Sequence, residues 1–477
     1  MGTISSLQMP LPPDTAWASL TTLGRRLRAK RFTAVELAEF FLDRVERHGK
    51  RLNAIVTVSD DLALRQAAEA DRELAAGRDR GPLHGIPYGA KDLLATAGVP
   101  TSWGAAPLKD QMFDEDATVV HRLREAGAVL VAKLAMVEIA GGLGYDQANA
   151  SFTGPGLNPW DITAWSGGSS SGSGSAVGAG VVPFAIGSET WGSIMTPAGY
   201  CGITGLRPTY GRVSRHGAMA LSWSLDKLGP MTRTAADAGL VLATIAGPDP
   251  ADPSASTRGY EYPAQDPLVP PFRLATLKGA TDGVQPAVRE NFEASLDEFR
   301  PHATITEIDL PELPFGTVAS TIIDCELASA FEGLVTSGDI WEMSAPEDRI
   351  GAHAALFIPA KDYINALRIR RKIQLAMDAL LAPLDAIVVP SLSTVASPLD
   401  GDFASYHARW GGGVSIGGAE NAAGIPAISV PNGFGERGLP TGLKFVGRAF
   451  EENRLLAIAE KYQELTDWHQ KRPKGWE

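Results

Sequence analysis

The sequence predicts an α/β fold built on one large mixed, mostly parallel sheet with helices on both faces. Two observations support this fold class: helix and strand signals alternate along the chain, and no compositional break divides it into halves. Strands that alternate with helices are typical of parallel sheets that are covered on both faces. The length of 477 residues is ample for a large core, and 44% hydrophobic with 21% charged residues is ordinary for a folded globular protein.

The individual elements follow from local signals. The first helix signal is a capping box from Thr33 to Glu36, followed by apolar residues at helical spacing until Gly49. In chain order, the later predicted elements are a strand at 54–58, a helix at 117–125, strands at 128–132 and 181–186, a helix at 286–299, strands at 304–308 and 385–389, and a helix at 452–465.

One proline-dense stretch, residues 247–271, has little apolar periodicity. Because strand and helix signals continue on both sides of it, we expect a surface connection or insertion, with a domain boundary as the alternative. The predicted organisation is an N-terminal extension or helix at 1–32, a main domain at 33–465 and a C-terminal tail at 466–477.

Charge and cysteine content exclude several classes of function. A net charge of −12 argues against a nucleic-acid or anionic membrane partner, because such partners are usually met by a basic face. The basic cluster at 368–372 therefore favours a solvated helix face. Two cysteines are too few for a disulfide framework and lack metal-ligand spacing. With no leader and no apolar stretch long enough to span a membrane, we expect a cytoplasmic protein.

The run SGGSSSGSGSAVGAG at 166–180 resembles a flexible linker in composition. It leads directly into the apolar strand candidate at 181–186, however, which argues against a linker. It lacks the lysine of a phosphate-binding loop. Gly168 to Gly172 matches the GxSxG nucleophile pattern formally, with Ser170 at its centre, but no convincing strand precedes it.

A serine hydrolase without a histidine base needs another base, and a buried lysine can serve because burial disfavours its charged form. The sequence offers Lys91, which follows a short apolar, glycine-rich approach that begins at Gly85. The alternative is a surface lysine paired with Asp92.

Taken together, these segments resemble the amidase signature family over roughly residues 33–465. The matching segments are PLHGIPYGAKD, LNPWD, SGGSSSGSGSAVGAGVVPFAIGSETWGSIMTPAGYCGITGLRPTYGRVSR and SLDKLGPMTRT. The resemblance implies a single α/β domain around a large mixed sheet. It also implies a catalytic triad of Lys91, Ser169 on a cis peptide bond, and Ser193 as the nucleophile.

That triad implies acyl transfer without a metal or an organic cofactor. Ser193 would attack a carbonyl, Ser169 would relay the proton to neutral Lys91, and water would hydrolyse the acyl-enzyme. The turn through Thr190, Trp191 and Gly192 would place backbone N–H groups near the oxygen of the tetrahedral intermediate.

The chain departs from the family pattern GSDTGGSIR at three positions: Glu189 replaces Asp, Trp191 replaces Gly and Met195 replaces Arg. We expect Trp191 and Met195 to give the acyl pocket an apolar, aromatic character. The substrate loop at 140–146 is also altered, and its extra glycines, Gly141 and Gly142, suggest room or mobility there.

The resemblance leaves several functions open. A hydrolase of carboxamides, with aryl or bulky apolar acids as substrates, is the favoured interpretation, and carbamates are an alternative substrate class. The glutamine-hydrolysing component of glutamyl-tRNA amidotransferase and an inactive binding homologue are the other two. The partner is expected to be a small amide or carbamate, and a homodimer stays open.

Overall fold

The structure is a computed structural model that describes residues 11–142, 144–410 and 413–477. The described residues form one eleven-stranded sheet with the strand order β1-β3-β2-β4-β6-β5-β10-β11-β9-β7-β8. The strands are β1 (Ile55–Val58), β2 (Pro87–Lys91), β3 (Val129–Leu134), β4 (Ala185–Glu189), β5 (Thr204–Arg207), β6 (Lys227–Thr232), β7 (Phe272–Leu277), β8 (Ala303–Ile308), β9 (Ala386–Pro390), β10 (Ala427–Phe434) and β11 (Pro440–Val446).

The sheet is mixed, as predicted, but its parallel pairs are in the minority. Among the strands described, β2–β3, β2–β4, β7–β8 and β7–β9 are parallel. The other six pairs are antiparallel. The expectation of a mostly parallel sheet was therefore wrong. Alternation of helices and strands predicts the class of fold, whereas strand direction depends on pairings between distant segments.

Fifteen α-helices surround the sheet in the described part of the chain. They are α1 (Leu20–Arg28), α2 (Ala34–Arg44), α3 (Asp60–Ala75), α4 (Thr118–Glu125), α5 (Ser171–Gly178), α6 (Met195–Cys201), α7 (Ala235–Ile245), α8 (Pro286–Phe299), α9 (Phe315–Ala330), α10 (Glu332–Ser337), α11 (Pro346–Ala355), α12 (Ala360–Leu381), α13 (Phe403–Ala408), α14 (Gly417–Ala423) and α15 (Glu452–Leu465). Every residue of β2 to β6 and of β11 is buried. Because side chains alternate between the two faces of a strand, this burial means that both faces are covered.

Most predicted elements lie where their local signals placed them. The capping box begins α2, with the Thr33 hydroxyl accepting from the Glu36 amide and the Glu36 carboxylate accepting from the Thr33 amide. The helices predicted at 286–299 and 452–465 are α8 and α15. The strand predicted at 181–186 begins instead at Ala185. Pro183 explains this delay, since it has no backbone N–H to donate to a neighbouring strand.

The proline-dense stretch 247–271 contains no α-helix or β-strand among the described residues. It lies along the outside of the domain, where the Tyr262 hydroxyl donates to Glu460 of α15 at 2.5 Å. The Ser254 hydroxyl accepts from Arg215 at 2.6 Å in the loop before β6.

Within the described N-terminal part, α1 buries Leu20, Leu23 and Leu27 in the main core. Residues 1–10 of the predicted N-terminal extension lie outside the described residues. In the portion of the chain that is described, no helix combines the length and apolar character that a membrane crossing requires.

Candidate active site

The serine–glycine run is a buried helix, not a linker. All eight residues of α5 are buried. A Cβ added at Gly172 would lie 2.4 Å from the Ala54 carbonyl oxygen, and one added at Gly174 would lie 2.8 Å from Pro197 Cβ. Glycine is thus required here because the helix packs directly against neighbouring backbone and against α6.

Lys91 is the last residue of β2 and is fully buried. Its Nζ donates to Ser169 Oγ at 2.7 Å and to Ser188 Oγ at 2.9 Å. Burial lowers the pKa of Lys91 to about 7, although the negative charges of Asp226 and Glu189 partly oppose this shift. The alternative of a surface lysine paired with Asp92 is wrong, since Asp92 contacts Lys133 at 3.3 Å instead. A large share of Lys91 is therefore neutral near pH 7 and able to accept a proton.

Ser169 lies immediately before α5, in a loop whose backbone is tightly enclosed. The Gly168–Ser169 peptide bond is cis. Gly167 has φ +85°, and a Cβ there would lie 2.8 Å from Pro197 Cα. A side chain at Gly168 would meet Val137, Trp165 and the Tyr145 hydroxyl. This enclosure fixes the segment that presents the Ser169 hydroxyl to Lys91.

Ser193 lies in the turn between β4 and α6, which we call the nucleophile turn (Thr190–Ser193). Gly192 has φ +83°, a conformation that favours glycine, and its carbonyl accepts from the Thr196 amide at 2.7 Å. The Ser193 carbonyl accepts from the Ser170 amide at 3.3 Å. This bond joins the nucleophile turn to the segment that carries Ser169, so the three predicted triad residues occupy one buried region.

Glu189, the last residue of β4, supports the nucleophile turn. Its Oε2 accepts from the amides of Ile194 at 2.9 Å and Met195 at 3.0 Å. Burial raises its pKa, but the opposing effects of Arg207 and Lys227 and of its hydrogen bonds bring the pKa to about 2. The residue that replaces the family's Asp is therefore a buried carboxylate bonded to backbone.

Of the predicted substrate residues, Thr190 and Trp191 reach opposite surroundings. The Thr190 hydroxyl donates to Asp226 Oδ1 at 2.5 Å. Trp191 is 39% exposed, and its ring lies against Gly316 of α9 and Gly417 of α14. Trp191 therefore does not pack against the sheet but lies between the helical layer and solvent.

Met195 is buried in the main core, with 3% of its surface exposed. It begins α6, and its amide is the donor to Glu189. The structure does not bring Met195 to an exposed surface of the site, which differs from the expectation that it forms part of the acyl pocket. The reason is its position at the start of a buried helix.

The altered loop at 140–146 is closely packed around Gly141 and Gly142. Gly141 has φ +75°, and a Cβ there would lie 2.3 Å from the Tyr145 ring. A Cβ at Gly142 would lie 1.9 Å from Leu221 Cδ1. The expectation of extra room at these glycines was wrong, because Tyr145 and Leu221 fill the space. Leu143 lies outside the described residues.

A cavity of about 490 Å³ adjoins this region. Its lining includes Ser188 and Thr190 and an apolar set contributed by the segments after β2 and β3 and by the segment before β6. The main apolar residues are Leu93, Ala140, Met219, Leu221, Trp223 and Leu228. Ser193, Trp191 and Met195 are not among its lining residues.

Sequence reasoning missed Ser188, Asp226 and Trp223. Ser188 and Asp226 lie within the motifs GSETWGS and SLDKLGP, but neither motif reveals which hydroxyl contacts a lysine 97 residues away. Trp223 is 46% exposed and stands on the cavity wall, and its aromatic character beside SLDKLGP was the available signal.

Comparison with known proteins gives a family that agrees with this geometry. A family model described as "Amidase" matches residues 36–456. The chain belongs to the amidase family. It is 37% identical to the A-type component of the glutamyl-tRNA(Gln) amidotransferase of Methylococcus capsulatus, over 96% of this chain and 99% of that protein. The corresponding protein of Aromatoleum aromaticum is 38% identical, with the same coverage.

Among solved structures, the native peptide amidase of Stenotrophomonas maltophilia superposes with a TM-score of 0.86 and 33% identity. The match covers 98% of this chain and 100% of the peptide amidase. The amidase family is therefore represented among the relatives both by a peptide amidase and by components of an amidotransferase. Both kinds of relative support an enzyme that acts on C–N amide bonds.

Proposed function

We propose that this protein hydrolyses carboxamides through an acyl-enzyme on Ser193, with Ser169 and Lys91 as the proton relay. The observation that carries this proposal is the hydrogen bond of 2.7 Å between Lys91 Nζ and Ser169 Oγ. A lysine with a pKa of about 7, bonded to a hydroxyl beside the nucleophile turn, supplies the base that the reaction requires.

In the first half-reaction, the Ser193 hydroxyl loses its proton to Ser169 Oγ, and the Ser169 proton passes to neutral Lys91. Ser193 Oγ forms a bond to the carbonyl carbon, and the resulting oxyanion is stabilised by backbone N–H groups of the nucleophile turn. The C–N bond then breaks as the proton returns through Ser169 to the amine. Water repeats the sequence on the acyl-enzyme and releases the carboxylic acid.

The substrate class follows from the cavity beside Ser188 and Thr190. Its apolar lining and its volume of about 490 Å³ suit an aryl or bulky apolar group, and Trp223 offers a flat surface for stacking. Carbamates remain an alternative substrate class, because the same nucleophile attacks their carbonyl carbon. A panel of matched amides, esters and carbamates, assayed by kcat/KM, separates these classes.

The glutamine-hydrolysing component of a tRNA amidotransferase is the second candidate. The observation that favours it is the name and near-complete coverage of the Methylococcus and Aromatoleum relatives. Kinetics of the isolated chain on benzamide and glutamine decide between the two. We expect benzamide to be the better substrate, whereas preference for glutamine, or activity only with added partner proteins, favours the amidotransferase.

An inactive binding homologue is the third candidate. Lys91, Ser169 and Ser193 are all retained, whereas loss of catalysis usually replaces at least one catalytic residue. Labelling of the purified chain by a fluorophosphonate tests this candidate directly. A chain that neither reacts with the probe nor hydrolyses any amide would be a binding protein.

A cytoplasmic location and a homodimer are further proposals. Cys201 and Cys325 are free, which fits a reducing compartment. Cell fractionation tests the location, and size-exclusion chromatography with light scattering determines the oligomeric state.

A further inference from the structure

The nucleophile turn is held at its C-terminal end by one carboxylate. Glu189 Oε2 bonds to the amides of Ile194 and Met195, the two residues that directly follow Ser193. These bonds close a loop from the end of β4 to the start of α6 across the whole turn. Such charge-assisted bonds to backbone amides are stronger than neutral ones and fix the geometry of the groups they join.

The other oxygen of Glu189 is anchored away from the turn. Glu189 Oε1 accepts from Arg207 Nη1 at 2.7 Å, and Arg207 donates from Nη2 to the Ile425 carbonyl at 2.9 Å. Both side chains are fully buried. The carboxylate is therefore locked between β5 and the turn, and it is ionised throughout the neutral pH range because its pKa is about 2.

A buried lysine holds the N-terminal end of the turn. Lys227 is the first residue of β6, which pairs with β4, and its Nζ donates to the Thr190 carbonyl at 3.2 Å. The same Nζ donates to Asn421 Oδ1 of α14 at 3.0 Å. The first residue of the turn is thus tied to the neighbouring strand and to the helical layer.

We propose that Glu189 and Lys227 are positioning residues that clamp the nucleophile turn at its two ends and so fix Ser193 relative to Ser169. This inference rests on the proposed function of Ser193. Neither residue touches the reacting atoms. A buried ion pair that served only stability would have no reason to direct its bonds to backbone groups on both sides of the nucleophile.

The test measures the second-order rate of labelling of Ser193 by a fluorophosphonate as a function of pH, in the intact protein. We compare the wild type with Glu189→Gln, Glu189→Asp and Lys227→Met. The matched control is Lys444→Met, which breaks a buried ion pair with Glu420 at 2.7 Å without contacting the turn. Thermal unfolding is measured for every variant.

Glu189→Gln should lower the plateau rate about 10- to 100-fold, which is the size expected for loss of charge-assisted hydrogen bonds. It should also move the midpoint of the pH profile to lower pH. The charged groups that act on Lys91 are Asp226 and Glu189, and both raise its pKa, so removal of one negative charge lowers it further. Glu189→Asp keeps the charge and should keep the midpoint, with a smaller loss of rate because its side chain is one methylene shorter.

Lys227→Met should lower the plateau about tenfold, whereas Lys444→Met should lower the melting temperature without slowing the labelling. The proposal is overturned if Glu189→Gln and Lys227→Met label at the wild-type rate, or if every variant slows only in proportion to its loss of folded protein. If Glu189→Gln does not fold, Glu189→Asp and Lys227→Met decide by the same criteria. Failure of the wild type to label at Ser193 overturns the proposed function instead.

Discussion

Lys91 and Lys227 lie on the two strands that flank β4, and both are buried with a pKa lowered to about 7, mainly by burial. Their partners differ. Lys91 donates to two serine hydroxyls, which can give up protons, whereas Lys227 donates to a backbone carbonyl and a side-chain amide oxygen, which cannot. The comparison teaches that burial makes a lysine able to act as a base, while its partners determine whether a proton can reach it.

The largest expected effect concerns the serine at the end of the relay. Ser193→Ala should reduce amidase activity about 10⁴- to 10⁶-fold with the fold intact, because it deletes the nucleophilic oxygen. Ser170→Ala is the matched control, since its hydroxyl donates to the Ser188 carbonyl at 3.2 Å and carries no predicted role in the relay. Steady-state kinetics and circular dichroism check both variants. A dead Ser170 variant with an active Ser193 variant would show that the wrong serine had been paired with Lys91.

The two lysines themselves should differ next. Lys91→Met should lower kcat about 10²- to 10⁴-fold, as expected for loss of a general base. Lys227→Met should lower it about tenfold, since Lys227 acts only through the position of the turn. Equal losses in kcat at constant KM would remove the distinction between the two lysines.

The pH profile sharpens the assignment of the base. Neutral Lys91 is the active form, so activity should rise with pH through one ionisation near pH 7 and then level off. Because a group of pKa about 7 is about 1% neutral at pH 5, the rate there should be about 100-fold below the plateau. The dependence of kcat/KM on pH measures this directly. A profile that falls with rising pH across this range would exclude neutral Lys91 as the base.

A smaller effect is expected at Ser188, the second hydroxyl on Lys91. Ser188→Ala removes a 2.9 Å hydrogen bond but leaves the relay through Ser169 intact. We expect kcat to fall up to about tenfold, in line with the loss of one neutral hydrogen bond. A loss as large as that of Ser169→Ala would mean that the proton travels through Ser188.

The smallest effects concern the two tryptophans near the turn. Trp223→Gly should lower kcat/KM for aryl amides about five- to twentyfold while acetamide is little affected, because Trp223 lines the cavity. Trp191→Gly should shift the preference toward smaller substrates by a lesser factor. Kinetics on benzamide and acetamide measure both shifts, and unchanged ratios in both variants would place the substrate elsewhere.

The sequence predicted those features that depend on local signals. The bounds of α8 and α15 follow from apolar spacing, a proline at the first turn of α8 and the residues within each helix. The motif segments that contain Lys91, Ser169 and Ser193 were also recognisable. Strand direction, by contrast, requires pairing between segments far apart in the chain, which is why the share of parallel pairs was overestimated.

Features that depend on tertiary packing could not be predicted. The spacing of Gly141 and Gly142 suggests open space, yet the rings and side chains that fill it come from Tyr145 and Leu221. The role of Lys227 was equally hidden, because its contacts reach Thr190 and Asn421, which are far from it in sequence. Substitution patterns such as Glu for Asp at 189 acquire physical meaning only when the amides they bond are known.

The central claim is that Ser193 is the nucleophile activated by Lys91. Its most direct test is peptide mapping by mass spectrometry after reaction of the wild type and Lys91→Met with a fluorophosphonate. We expect one adduct on Ser193 in the wild type and labelling slowed by at least about 100-fold in Lys91→Met. An adduct on Ser170 or another residue, or labelling of Ser193 at the same rate in both proteins, would contradict the account.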